Sequence, residues 1–192
     1  MRLTSLNAFP LFPDWVFTGN LSLEKTMLDS AVAESERVAI ERTNFGYRSK
    51  LNSIGPVGNN LLKLIGNMFI NESGAHFNMN EELQSRINVC AAQYIGIAPE
   101  MKTDIQVKQQ RWYRAIMKLD GDAISSNLRL SMFNEKRFTT PTGVQPWEHM
   151  IELQPGNVVF IPAHVPWDLT VNQSKHNCTF YTLEFHVVPP KN

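Results

Sequence analysis

The chain has little of what would announce a chemistry. Two cysteines occur in 192 residues, Cys90 and Cys178, and neither sits in a CxxC or knuckle spacing. That excludes a disulfide scaffold and a zinc knuckle, and it predicts two small buried hydrophobes in a reducing compartment. An excess of one charge is missing as well: 18 Lys plus Arg balance 18 Asp plus Glu, for a net charge of zero. With no basic field to concentrate polyanions, neither nucleic acid nor an anionic membrane is expected as a partner. Charged residues make up only 19% of the chain. A charge-poor surface points to association with protein. No apolar run approaches the about 18 residues of a membrane span. The opening Met1-Arg2-Leu3-Thr4-Ser5-Leu6-Asn7 has neither the apolar core nor the cleavage site of a signal peptide, so an intracellular location is expected. Internal repeats, low-complexity runs, a Gly-x-Gly-x-x-Gly fingerprint and a P-loop are all absent; Gly55-Pro56-Val57-Gly58 reads as a turn.

What is present is a globular composition, 43% apolar and 10% aromatic, in a length suited to one domain. Residues 1–20 read as an extended arm, interrupted by Pro10 and Pro13. Residues 21–100 read as a helical support region. Its first helix opens at Ser22 and runs through Arg42. A second follows Pro56 and is broken at Asn71 to Gly74. A third spans Asn80 to Tyr94, with Leu83, Ile87 and Ala91 at helical spacing. Residues 101–192 change character. Short β-branched and aromatic runs at 104–119, 127–136, 147–153, 157–162, 166–172 and 178–188 are separated by Asp120-Gly121-Asp122, Pro141-Thr142-Gly143, Pro155-Gly156 and Asn172-Gln173-Ser174-Lys175. That rhythm predicts antiparallel strands in a sandwich or barrel. The expected class is α+β: N-terminal helices packed on an antiparallel, jelly-roll β-sandwich.

The most specific stretch runs from Leu153 to Asn172: a Pro155-Gly156 turn, the apolar strand Val158-Val159-Phe160-Ile161, Pro162, a bend at His164, then Trp167-Asp168-Leu169. It resembles the late motif of the double-stranded β-helix shared by cupins and Fe(II)/2-oxoglutarate oxygenases. There, a metal-binding His follows the proline by about five residues. Phe9-Pro10-Leu11-Phe12-Pro13 resembles the opening strand of the oxygenases. Thr43-Asn44-Phe45-Gly46-Tyr47-Arg48-Ser49 resembles an element of an oxygenase-like family of tailed phages. The segment from Arg111 to Asp122 resembles the strand and turn that lead to the first metal motif.

The resemblance implies a facial triad of two His and one carboxylate, the first two as His-x-Asp/Glu on alternate strand positions. None of the five histidines, His76, His149, His164, His176 and His186, has Asp or Glu two residues on. Counted from Gly121, the pair would fall near Ser126 and Leu128. The distal His falls on Trp167, whose indole offers only an N–H. The cosubstrate arginine falls on Asn177. His149 and Glu152 lie three apart and would face opposite sides of a strand. Asp168 would point away from Trp167. No catalytic, cofactor-binding or metal residue is therefore assigned, and no cofactor is expected; the alternative is Fe(II) with 2-oxoglutarate. Trp167 reads either as packing in an emptied cavity or as a stacking platform for a ligand. Trp112 and Tyr113 are expected on alternate faces, and Arg111, Arg114, Lys118 and Arg129 on a solvated sheet surface. The reading favoured is a non-catalytic assembly protein of a phage particle, working through homo- or hetero-oligomeric protein contacts. An active hydroxylase and a metal-free small-ligand or sugar-binding sandwich are the alternatives.

Overall fold

The structure, a computed structural model, describes residues 3–11, 14–38, 40–104, 106, 111–122, 125–132 and 147–189. The expected Pro141-Thr142-Gly143 turn and the residues from 190 onward lie outside them, as do parts of the expected runs at 104–119 and 127–136.

The arm is a hairpin of β1 (Leu3–Leu11) and β2 (Asp14–Leu21), paired antiparallel. Next come α1 (Lys25–Arg37), a short hairpin of β3 (Ile40–Thr43) and β4 (Gly46–Ser49), α2 (Pro56–His76) and α3 (Glu81–Ser85). The long β5 (Ile87–Ile97) follows, then β6 (Tyr113–Lys118), β7 (Leu128–Met132), β8 (Trp147–Ile151), β9 (Asn157–Pro162), β10 (Trp167–Leu169) and β11 (Cys178–Val187). Eight strands make one sheet, in the order β1-β2-β9-β6-β11-β5-β4-β3, and three make a second, β10-β7-β8. This is the expected α+β architecture of helices on an antiparallel jelly roll.

Two apolar cores hold it. On one face of the large sheet, Leu61, Ile65, Met68 and Phe69 of α2 pack on Tyr113, Ala115, Val158, Phe160, Tyr181, Leu183 and Phe185. Phe69 anchors this layer, with ring centroids 4.5 Å from Phe185, 4.9 Å from Phe160 and 5.0 Å from Tyr113. Between the two sheets lies the other core, built from Ile116, Val159, Ile161 and Phe180 against Leu128, Leu130, Val165, Trp167 and Leu169. Strand alternation divides β6 between them: Tyr113, Ala115 and Met117 face the helices, while Arg114, Ile116 and Lys118 face the small sheet.

Several local expectations are corrected. The first helix stops at Arg37, because residues 40–43 form ladder bonds with 46–49 instead. The second continues through Asn71 to Gly74; Gly74 is a packing point, where a Cβ would come within 2.6 Å of Gln84. The third is a single turn of helix followed by β5, which pairs with β11 along its whole length. Leu83, Ile87 and Ala91 fit a helical period by coincidence. Trp112 and Tyr113 do not part to opposite faces, since both contact Phe69, and Trp112 lies just before the strand. The cationic surface is not a surface either: Arg114 and Lys118 are buried.

Candidate functional site

Trp167 begins β10, and its backbone is held on both sides. Leu130 of β7 is its antiparallel partner on one side. Across the other, Gln106 N donates to Trp167 O at 2.7 Å and Trp167 N donates to Gln106 O at 3.1 Å. Thr103 extends this ladder: its N donates to Leu169 O, and its Oγ1 accepts from Leu169 N at 2.8 Å. The indole lies between the sheets and is 3% exposed, and its Nε1 has no hydrogen-bond partner among the described residues.

Facing it from the large sheet is Arg114, also 3% exposed, with its guanidinium carbon 5.0 Å from the Trp167 ring centroid. Glu184 stands directly opposite Arg114 in the β6–β11 ladder. Arg114 Nη2 donates to Glu184 Oε1 at 2.6 Å, and Arg111 Nε donates to Oε2 at 3.3 Å. Such charge-assisted bonds fix the guanidinium over the ring. On the far side of the small sheet, Arg129 donates from Nε to Asp168 Oδ1 at 2.8 Å and from Nη2 to Oδ2. As expected, then, Asp168 points away from Trp167; its hydrogen bond to Arg129 raises the arginine pKa still further.

Deeper in the interior, Lys118 Nζ donates to Asp122 O at 3.2 Å, and burial lowers its pKa from the ordinary 10.5. Burial likewise pushes the Cys178 thiol up to about 11, which makes it an inert, packed cysteine as expected. Cys90 is only half-buried and donates to Glu184 O. The Asp120-Gly121-Asp122 turn is occupied locally: Asp120 Oδ1 accepts from Thr179 N, and Asp122 Oδ1 accepts from Ser125 N at 3.0 Å.

Leu128 and Trp167 share the core between the sheets, but neither carries a metal-ligating group. Ser126 Oγ donates to Thr170 O, and Leu128 is fully buried in the core. Thr103 and Gln106 stand beside β10 on its other edge, which gives a ligand pair adjacent to position 167 a second place, Lys102-Thr103-Asp104. Sequence reading missed it by treating 104–119 as one strand run. It carries a carboxylate, Asp104, which accepts from Asn44 Nδ2 at 3.3 Å, and a lysine where the pair needs His. Asn177 is exposed, just before β11. The histidines are scattered. His76 ends α2 against Trp15 and Phe17. His149 lies on β8 in register with Leu130. His164 and His176 are exposed, and His186 lies near the end of β11. Among the described residues, no three His, Cys, Asp or Glu side chains form a group able to hold a metal.

These two sheets define a double-stranded β-helix of the oxygenase type. No family model matches the chain, and no curated protein matches it. Solved structures do. The non-heme alpha-ketoglutarate-dependent carbocyclase SnoK of nogalamycin biosynthesis superposes with a TM-score of 0.65 at 12% identity, over 88% of this chain and 78% of its own. HygX from Streptomyces hygroscopicus, with nickel and 2-oxoglutarate bound, gives 0.65 at 8% identity, over 90% and 83%. A prolyl-4-hydroxylase from Pseudomonas putida gives 0.61 at 14% identity, over 93% and 96%. The fold neighbours are thus 2-oxoglutarate–Fe(II) oxygenases.

They correct the expectation that no cofactor belongs to this chain, because their fold points to Fe(II) and 2-oxoglutarate. The described residues at position 167 do not fit the iron: an indole N–H donor stands there with a guanidinium stacked on it, and neither has a lone pair for a metal. No step is derived through the metal.

Proposed function

We propose that the chain is a non-catalytic protein with an oxygenase-like fold that works by protein association, as an assembly component of a tailed-phage particle. One observation carries this reading. Trp167, packed under Arg114, fills the place where the motif it resembles has its distal metal ligand. The phage setting rests on the resemblance of residues 43–49. Association is supported by β1, β3 and β8, which have a strand partner on one side only among the described residues, since open edges are templates for pairing with another chain. It is also supported by the exposed apolar side chains of Met101 and Val171, which lie close together through the Asn172 N to Met101 O bond.

A second reading, an Fe(II)/2-oxoglutarate hydroxylase, is favoured by the solved neighbours. The test is oxygen uptake and 2-oxoglutarate consumption by purified protein reconstituted anaerobically with Fe(II). The expected result is no uptake above the protein-free control. Stoichiometric iron with cosubstrate turnover would overturn the assembly reading and establish the hydroxylase.

A further inference from the structure

Two of the strands with one partner, β3 and β8, carry charges of opposite sign that no described residue pairs. The third, β1, has no charged residue. On β3, Glu41 is taken by Arg48 of β4 at 3.1 Å. Its neighbour Arg42 is exposed, and the side chain has no ion pair or hydrogen bond among the described residues. At β8 the signs are reversed. Glu148 lies 3.6 Å from Arg129 of β7, whereas Glu152, one residue past the strand, is exposed and has no side-chain partner among the described residues.

Glu152 lines a cleft of about 280 Å³ between the sheets. In the β2–β9 ladder, Thr18 stands opposite Val159 and Asn20 opposite Asn157. Val159 belongs to the core between the sheets, so strand alternation puts all four on the face turned to the small sheet. They form one wall of the cleft, and Ile151, Glu152 and Leu153 form the other. The turn that joins the walls is held by Gln154 N donating to Asn157 Oδ1 at 2.8 Å and by Gly156 N donating to Lys118 O at 2.9 Å. Such a cleft suits an aliphatic stem with a cationic head: Ile151 and Val159 would cover the stem while Glu152 met the head. β3 and β8 are also alike in length, at four and five residues. Pairing either edge with its own kind sets like charges near one another, whereas β3 against β8 sets Arg42 toward Glu152.

We propose that a second copy of this chain docks its β3 edge on the β8 edge, with the Arg42 side chain in the cleft beside Glu152. The proposal rests on the assembly reading and names one of its contacts. Inside the cleft the ion pair is partly sheltered, so salt weakens it less than a fully exposed pair.

The test is charge reversal. Self-association of the full chain is followed by sedimentation velocity over a range of concentrations. The parent is compared with Arg42→Glu, Glu152→Lys and the double variant Arg42→Glu/Glu152→Lys. Far-ultraviolet circular dichroism checks the fold of each, and Arg42→Gln or Glu152→Gln replaces a reversal that does not fold.

Each single reversal should weaken association roughly tenfold or more. The double variant, or an equimolar mixture of the two single ones, should recover it. The proposal is overturned if either single variant associates as the parent does, or if the double variant stays as weak as the single ones. A parent that still associates would then leave the assembly reading standing through another contact. A parent that is monomeric at every concentration would overturn both.

Discussion

Glu34 accepts four hydrogen bonds, and nothing in its sequence context marks it. From α1 it reaches the start of α2, where its carboxylate accepts from the amides of Gly55, Val57 and Gly58 and from Tyr94 Oη at 2.7 Å. An anion at a helix N-terminus satisfies amides that have no partner within the helix. Burial alone would raise its pKa, but the bonds from Tyr94, Gly58, Val57 and Gly55 together outweigh burial and hold it below its ordinary value. For a carboxyl lowered on folding, the stabilisation is complete above the ordinary value of 4.5 and is lost as pH falls through the folded value. Glu34→Gln should therefore cost roughly 2 kcal/mol at neutral pH. Its stability should also fall less steeply than that of the parent below about pH 4.5, as urea titrations across the acid range would measure. Tyr94, desolvated and bonded to that carboxylate, is pushed well above the ordinary tyrosine range and stays protonated as its donor. At Trp167 the outcome differs. Its indole N–H has no hydrogen-bond partner among the described residues.

Among the elements, β5 is the one whose sequence pattern misleads. Its apolar residues satisfy a period near four, yet it lies between β11 and β4, and its length is spent on ladder bonds with both. Gly96 shows how tightly that pairing is built. It stands opposite Tyr47, and the tyrosine ring lies over the glycine so closely that a Cβ would come within 2.0 Å of it. The same ring is anchored by a 2.9 Å hydrogen bond between Tyr47 Oη and Ser35 Oγ of α1. Gly96→Ala must displace the ring, and should lower stability by about 1–3 kcal/mol. A lower thermal midpoint with altered near-ultraviolet tyrosine ellipticity would be the signature; an unchanged midpoint would mean that the ring moves freely. Gly46, at φ 138° and with Gly96 O 2.4 Å from where its Cβ would be, closes the β3–β4 hairpin against the same strand. So the Asn44-Phe45-Gly46-Tyr47 stretch both turns the β3–β4 hairpin and packs against β5.

For the molecule as a whole, the assembly reading makes a prediction about size. Light scattering behind a sizing column should give a mass above that of the monomer, and the excess should survive high salt, because a charge-poor surface associates through apolar contact and strand edges. A monomer at every concentration tried would count against it. Among the described residues, no helix is long and apolar enough to cross a membrane. Neutrality and a low share of charged residues are whole-chain properties, but their distribution is not even. Of the four basic residues read as a solvated sheet surface, Arg114 and Lys118 lie inside the roll, and Arg129 bonds a buried carboxylate.

By itself the sequence determined the strands from 147 onward, because alternation and punctuation by Pro155-Gly156 and Asn172 are local signals that the ladder then reinforced. It also gave the expectation that Trp167 stands where the motif it resembles has its metal-binding His, since that position is counted along one continuous motif. Only the tertiary structure decided which strands flank Trp167. Pairing of β10 with Thr103 and Gln106 on one side and with 128–130 on the other is a contact between distant segments. Counted from Gly121, the ligand pair falls near Ser126 and Leu128; the ladder beside Trp167 brings Thr103 alongside β10 as well. The tertiary structure also decided that Arg114, Glu184 and Trp167 meet. Three residues up to 70 positions apart, as Arg114 and Glu184 are, share no local pattern, and only a rolled sheet brings their charges and the indole ring into one interior.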